Sequence, residues 1–226
     1  PIKDQRGFFN RLFCAEEIAE IGLKRPIVQI NHTMTRKKGA IRGLHFQNIP
    51  YTETKIVTCI KGKVFDVAVD IRKNSPTFLQ WHAEELSEDN HVSLYIPDGF
   101  AHGFQALTND CELLYMHSEF YQSDAEGALN VLDPRLSIEW PLEITEISER
   151  DHNHPMINLF KGIEIVKSAC TTSSLDKPDC SGPNKKPIFP PFIVCSKAFF
   201  TASKIFKGLV PTTRFLAVVA INKDIS

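Results

Sequence analysis

The segment from Lys55 to Arg72 admits one local structure. KIVTCIK runs into Gly62-Lys63 and then VFDVAVDIR, two runs of strand length joined by a tight-turn signal, which reads as a β-hairpin. In the second run Phe65, Val67, Val69 and Ile71 fall on one face while Asp66, Ala68 and Asp70 fall on the other. Two acids on one face of such a strand imply that this face either meets water or lines a polar cavity.

Further short strands read at 79–86, 92–96, 104–107 and 112–120, separated by turn chemistry (KNSP, SEDN, PDG, TND). Upstream, residues 1–13 read as a hairpin or strand entry around the Asp4–Gly7 turn, 26–33 as a strand, and TRKKG at 35–39 as a basic loop. Only Cys14–Leu23 has a helical pattern, with Glu16, Glu17 and Glu20 outside and Ile18 and Ile21 inside. Many short strands without room for crossover helices specify an all-β antiparallel sandwich or barrel with a few short helices, not a parallel α/β fold. After about residue 166 the composition changes to SACTTSSLDKPDCSGPNKKPIFPPF, whose Pro, Ser and Lys read as linker or disorder. The division is therefore a 1–166 domain and a poorly defined C-terminal extension, 167–226, whose last stretch regains apolar residues without clear periodicity.

Charge divides at the same point. Residues 1–166 hold 17 Lys+Arg against 24 Asp+Glu, and residues 167–226 hold nine against three. An acidic body argues against broad nucleic-acid binding and leaves room for a local basic pocket for a phosphate. The cysteines at 14, 59, 111, 170, 180 and 195 show neither C-x-x-C spacing nor zinc-finger histidines, and read as reduced thiols of a cytoplasmic protein. No apolar run approaches the ~20 residues that cross a bilayer, so no membrane partner is expected. The chain opens on Pro1 without a charged-then-apolar leader, and the expectation is a fragment or a processed N-terminus with no signal peptide.

The stretch with most chemistry is IRGLHFQ, Ile41 to Gln47. His45 and Gln47 share strand parity, whereas Arg42 falls on the other parity or on the turn leading in. A single strand histidine is more often a hydrogen-bonded structural residue than a catalytic one. Lys55, Asp66, His102 and Tyr115, however, also stand inside apolar strand contexts, where burial is costly unless the groups pair or serve a ligand. A facial metal site would want H-x-H with a carboxylate soon after; position 47 is Gln and Glu53 lies beyond Pro50, so no metal is expected. There is no G-x-S-x-G elbow, no cysteine with an evident histidine partner, and no glycine pattern of a phosphate or dinucleotide loop. What remains is acid–base chemistry, with histidine and tyrosine as proton carriers, lysine facing an oxyanion and arginines gripping an anionic handle. The charged segment ISERDHNHP, 147–155, reads by itself as solvated surface.

Taken together, DQRGFF (Asp4–Phe9), Gln29-x-Asn31, IRGLHFQ, VFDVAVDIR-x-x-SP, YIPDGFAHGF and the tyrosines Tyr115 and Tyr121 resemble the dTDP-4-dehydrorhamnose 3,5-epimerase family of the cupin superfamily. The resemblance covers about 1–165, and the paired RGLH and P-x-GFAHGF motifs are its most specific part. It implies a cupin-type β jelly roll, usually a homodimer, that needs no metal or other cofactor. The implied activity is inversion of C3 and C5 of dTDP-4-dehydro-6-deoxyglucose towards dTDP-4-dehydro-L-rhamnose, a step of dTDP-rhamnose biosynthesis. Carried over by position, His45 is the general base, Asp151 the carboxylate that orients it, Lys55 the cation facing the C4 oxygen, and Tyr115 the acid on the opposite face. His102 contacts substrate, with Asp66 as a candidate to hold its tautomer. Arg6, Gln29, Asn31, Arg42, Glu126 and Arg150 match positions that grip the sugar nucleotide.

The match has departures. Arg11 stands where the family usually has Glu, GALNVLD at 127–133 replaces a more aromatic and acidic pattern, the first family strand is expected to be absent from the sequence as it starts at Pro1, and 167–226 has no recognised counterpart. Two alternatives stay open: a C3-only epimerase of another deoxysugar pathway, and a non-catalytic or metal-dependent cupin that binds a sugar nucleotide. Tyr115 leans towards double inversion, and the joint presence of His45, Lys55, Tyr115 and Asp151 stands against the binding-only reading.

Overall fold

The computed structural model describes residues 1–165 and a short strand at Arg214–Ala217. In chain order the strands are β1 (Ile2–Asp4), β2 (Gly7–Phe9), β3 (Gln29–Thr35), β4 (Ala40–Gln47), β5 (Lys55–Lys61), β6 (Lys63–Asp70), β7 (Trp81–Ser87), β8 (Val92–Ile96), β9 (Phe100–Ala106), β10 (Cys111–His117), β11 (Glu126–Ala128), β12 (Glu146–Ile147) and β13 (Arg214–Ala217). Among the described residues two short α-helices interrupt them, α1 (Ala15–Glu20) and α2 (Glu149–His152), with 3₁₀ turns at Ser123–Ala125 and Ile157–Leu159. Apart from β13, which pairs parallel with β8, the extension 167–226 lies outside the described residues.

β1 and β2 form a separate antiparallel hairpin. The remaining strands make two sheets, ordered β13-β8-β5-β10-β3 and β11-β4-β9-β6-β7, with β12 alongside β4. Adjacent long strands are antiparallel, and the two sheets form the sandwich of a jelly roll.

Three apolar layers explain why the strands carry little polar alternation. Val57, Leu94 and Leu113 of one sheet meet Val64, Ala68 and Phe104 of the other. On the outer face of the second sheet, Ile41, Val67, Val69 and Ile71 pack against Leu129, Val131, Leu136 and Ile157 from the chain after β11. Helix α1 covers the outer face of the first sheet by burying Ile18 against Ile56, Tyr95 and Met116. Each fully buried side chain of this size stabilises the fold by about 1.5–3 kcal/mol. β6 is therefore buried on both faces, and its two acids meet partners and not water: Asp66 faces His102, while Asp70 closes a turn by accepting from Arg72, Ser75 and Thr77.

One irregularity shapes the site. Ile41 and Arg42 pair with Gln105 and Phe104, but His45 pairs with His102, so β4 carries one extra residue against β9. Gly43 occupies the bulge at φ +120°, where a Cβ would stand 2.5 Å from the Cα of Gly103. The bulge reverses the side-chain alternation. Arg42, expected on the face opposite His45, projects into the same cavity as His45 and Gln47.

Candidate active site

The bulge and the short helix α2 build the central pair. Ser148 caps α2 by accepting the Asp151 N–H at 3.1 Å, which places the Asp151 side chain inward, 4 % exposed. Asp151 Oδ2 accepts the Gly43 N–H at 3.2 Å, and Oδ1 lies 2.8 Å from His45 Nε2. Burial alone would raise the Asp151 carboxyl, but the His45 hydrogen bond and charge, the Gly43 N–H and Arg150 outweigh it and hold it well below the usual carboxylate range. The segment 147–155, read alone as solvated surface, thus contains a buried anion. An Arg150 guanidinium nitrogen also lies 3.3 Å from His45 Nε2. The shorter carboxylate contact decides the tautomer: Nε2 carries the proton towards Asp151, and the lone pair is on Nδ1.

A cavity of about 520 Å³ lies between the sheets, lined by His45, Arg42 and Gln47 of β4, Gln29 and Asn31 of β3, Lys55 of β5, His102 of β9, Tyr115 and His117 of β10, and Glu126 of β11, with Glu53, Tyr121, Arg150 and Asp151 from connecting segments. Strand pairing sets His45 opposite His102. The His102 ring meets Tyr115 edge-on at 5.7 Å, and its Nε2 donates to the fully buried Asp66 at 2.9 and 3.0 Å. Burial, with the Asp66 charge behind it, drives the Tyr115 hydroxyl far above the usual phenol range, so it stays a proton donor at any physiological pH.

Lys55 stands across from His117 in the β5–β10 pairing, and Glu53 ties the two together. Glu53 Oε1 is 3.1 Å from Lys55 Nζ and Oε2 is 2.7 Å from His117 Nδ1, all three side chains being about nine-tenths buried. Burial would raise Glu53, but the His117 hydrogen bond and the Lys55 charge hold it down as an anion. Sequence reasoning missed this pair. Glu53 reads in the sequence only as a candidate metal ligand, although it has strand parity with Lys55, and His117 follows Tyr115 by two, the spacing that puts both on one face.

The remaining residues expected to grip a sugar nucleotide divide. Gln29 donates to Asn31 at 3.2 Å and accepts the Tyr121 N–H at 3.1 Å, while Asn31 contacts His117 Nε2 at 3.3 Å. Arg42 donates to Thr35 at 2.9 Å, and Glu126 accepts from both Tyr121 and Arg150. Gln47 clasps the backbone of Tyr51 and Phe120. Arg6 is not brought to the cavity: it sits at the tip of the β1–β2 hairpin, 90 % exposed and paired with Asp4. Chemically, the arrangement offers a carboxylate-backed imidazole, a neutral phenol and an anchored ammonium around one cavity with two arginines at its wall.

The chain is similar to a group of known proteins. The family model described as dTDP-4-dehydrorhamnose 3,5-epimerase matches residues 1–158. A dTDP-4-dehydrorhamnose 3,5-epimerase of Shigella flexneri is 44% identical over 151 residues, 66% of this chain and 83% of that protein. The crystal structure of a dTDP-6-deoxy-D-glucose-3,5-epimerase from Legionella pneumophila, in complex with dTDP-4-keto-L-rhamnose, superposes with TM-score 0.67 at 38% identity, over 73% of this chain and 89% of that one. A dTDP-4-dehydrorhamnose 3,5-epimerase structure from Bacillus anthracis, with TDP and PPi bound, gives TM-score 0.65 at 37% identity, over 68% and 88%.

Proposed function

Because the chain belongs to the dTDP-4-dehydrorhamnose 3,5-epimerase family, we propose that it inverts C3 and C5 of dTDP-4-dehydro-6-deoxyglucose to give dTDP-4-dehydro-L-rhamnose, with His45, Lys55, Tyr115 and Asp151 as its working groups. C3 and C5 both flank the C4 ketone, so the proton on each is acidic only to the extent that the enolate oxygen at C4 is stabilised where it forms. His45 Nδ1 takes the proton, and the Asp151 carboxylate stabilises the imidazolium that results. The Lys55 ammonium, held by Glu53, faces the charge gathering on O4. Tyr115 returns a proton from the opposite ring face, which inverts the carbon. One proton leaves and one arrives per inversion, so no redox step is involved. A positioned acid or base contributes roughly 10²–10⁴-fold, and neither suffices without the cation.

The observation that carries this reading is the His45–Asp151 pair sharing one cavity with Tyr115 and Lys55. Arg42 and Arg150 supply positive charge for the diphosphate, and Gln29 and Asn31 supply amide groups for the nucleotide-sugar.

A homodimer is part of the same proposal. The β1–β2 hairpin exposes Ile2, Phe8 and Phe9, and the edge strand β3 exposes Ile30 and Met34. Pairing two copies over these surfaces would cover apolar area that a monomer leaves to water, and a second copy is the route by which Arg6 would reach a cavity. Among the described residues no helix is long and apolar enough to cross a membrane, and Cys14, Cys59 and Cys111 are free thiols, which suits the reducing cytoplasm.

The test is incubation with the 4-keto sugar nucleotide in D₂O, following deuterium at each carbon by NMR. Exchange at C3 and C5 supports the double epimerase, exchange at C3 alone the single inversion, and exchange at neither removes catalysis. His45→Ala should lose exchange at both carbons, whereas Tyr115→Phe should keep exchange while slowing net inversion. Equal loss of exchange and inversion in Tyr115→Phe would refute the division of labour.

A further inference from the structure

We propose that His45, Asp151 and His154 form a latent site for a zinc-class divalent cation, and that filling it switches the epimerase off. The acid–base chemistry above makes no use of His154. Its Nε2 is buried and has no hydrogen-bond partner, yet it lies 3.4 Å from Asp151 Oδ1, the oxygen that also holds His45 Nε2 at 2.8 Å. The His45 and His154 rings stand edge to face, with centroids 6.0 Å apart. One ligand atom from each of the three residues lies within 4.8 Å of the other two.

Two imidazole nitrogens and one carboxylate oxygen are a donor set that zinc-like ions accept. At zinc–ligand distances of about 2.0–2.2 Å, neighbouring ligand atoms of a tetrahedron stand ~3.3 Å apart. The His154–Asp151 spacing already meets this, and the His45–Asp151 contact needs to open by roughly 0.5 Å to admit an ion in place of its hydrogen. The fourth position would be left to water. Arg150 opposes the ion, its guanidinium lying 3.3 Å from His45 Nε2 and 3.7 Å from Asp151 Oδ1. That side chain is more than half exposed and is also tied to Glu126, so it can swing towards Glu126 as the cation enters.

The inhibitory consequence rests on His45 being the base; the binding does not. A neutral imidazole has one lone pair and one N–H. A cation on Nε2 takes the lone pair there and drives the ring proton to Nδ1, which removes the acceptor that would take the proton from C3 or C5. Asp151 is diverted from His45 to the cation at the same time.

The experiment uses full-length protein stripped of metal, with Zn²⁺ and Co²⁺ as probes. Titration with Co²⁺ should develop the visible bands of low-coordinate cobalt at one equivalent in the wild type, and His154→Ala should weaken this binding roughly 10- to 100-fold. Deuterium exchange at C3 and C5 should fall with one equivalent of Zn²⁺ and return on adding EDTA, while His154→Ala should keep its zinc-free exchange and resist the same Zn²⁺. His154→Gln, which keeps a polar side chain of similar reach, serves as the folding control and should behave like His154→Ala. Equal binding and equal inhibition in the wild type and both variants would overturn the proposal, as would activation by Zn²⁺ or no binding near one equivalent. A protein that shows no exchange without metal fails as a metal-free epimerase, and the cobalt titration then still decides the binding site.

Discussion

Replacing Asp151 with Asn preserves shape and removes charge, so it separates what the carboxylate does for His45 from what it does for packing. The Asp151 carboxylate accepts two hydrogen bonds, from the Gly43 N–H and from His45 Nε2, and donates none. Asn has one accepting oxygen. If that oxygen keeps Gly43, the amide NH₂ faces His45 and demands the Nε2 lone pair, which moves the ring proton to Nδ1 and removes the base. Restoring the working tautomer sets N–H against N–H and leaves two buried donors without acceptors, at about 1–3 kcal/mol each. At 1.4 kcal/mol per factor of ten, a total of ~2–6 kcal/mol slows proton abstraction by roughly 30-fold to 10⁴-fold. The assay is deuterium wash-in at C3 and C5 across a pH series, with thermal melting beside it. Both carbons should slow together because they share His45, and the fold should survive with a Tm loss of a few degrees. Exchange within about threefold of wild type in a folded Asp151→Asn protein would refute the assignment, since the tautomer cost alone exceeds that factor.

Three further outcomes follow from the same geometry. Gly103→Ala would bring a Cβ to 2.6 Å from the Arg42 carbonyl oxygen and 3.1 Å from the Gly43 Cα; overpacking of this kind costs about 1–3 kcal/mol, so the Tm should fall and exchange should weaken, and an unchanged melt would sink the close-approach argument. Glu53→Gln removes the anion between Lys55 and His117, and exchange should drop roughly tenfold; because the C4 oxygen is common to both enolates, the C3-to-C5 exchange ratio should not change, and a changed ratio would separate Lys55 from that oxygen. The folded-state pKa values of Asp151 and Glu53 lie below their ordinary values of 3.8 and 4.5, so their contribution to stability is fully present above those values and is lost as pH falls through the lowered ones. The Tm should therefore hold from neutral pH down to about 5 and decline below about 4, less steeply in Asp151→Asn; identical acid limbs in both proteins would show that this carboxylate does not titrate on unfolding.

Local pattern carried much of this architecture. Residues 55–61 and 92–96 form strands at the limits expected from their apolar runs, and Ile18 is buried on the one early helix. Strand β9 is longer than read, Phe100–Ala106 where 104–107 was expected, because PDG and Gly103 look like loop in sequence. Gly103 belongs in the strand because the Arg42 carbonyl leaves no room for a side chain. Parity failed for Arg42 since a bulge cannot be counted from one strand; it exists only in the mismatch between β4 and β9. Glu53 and His117 look ordinary apart, and their pairing is non-local. The 147–155 segment looks soluble because its charges are many, but it turns Asp151 inward, by a Ser148 cap that closes within the segment and a Gly43 N–H from far upstream, and buries His154 Nε2 beside it. Sequence resemblance supplied His45, Lys55, Tyr115 and Asp151, and it could not say that Arg6 would lie away from the cavity of its own chain.

The bulge at Gly43 makes backbone and chemistry one heritable unit. Deleting that residue would do more than shorten a strand: it would re-phase Ala40–Arg42 against His45–Gln47, turn Arg42 away from the cavity, and take from Asp151 the amide that holds its second oxygen. A side chain at position 43 would press on Gly103, the neighbour of His102. The placement of the His45–Asp151 pair is thus set partly by a main-chain irregularity two residues away. Variation in this lineage is therefore expected to spare that glycine pair even where the groups proposed to grip the nucleotide drift.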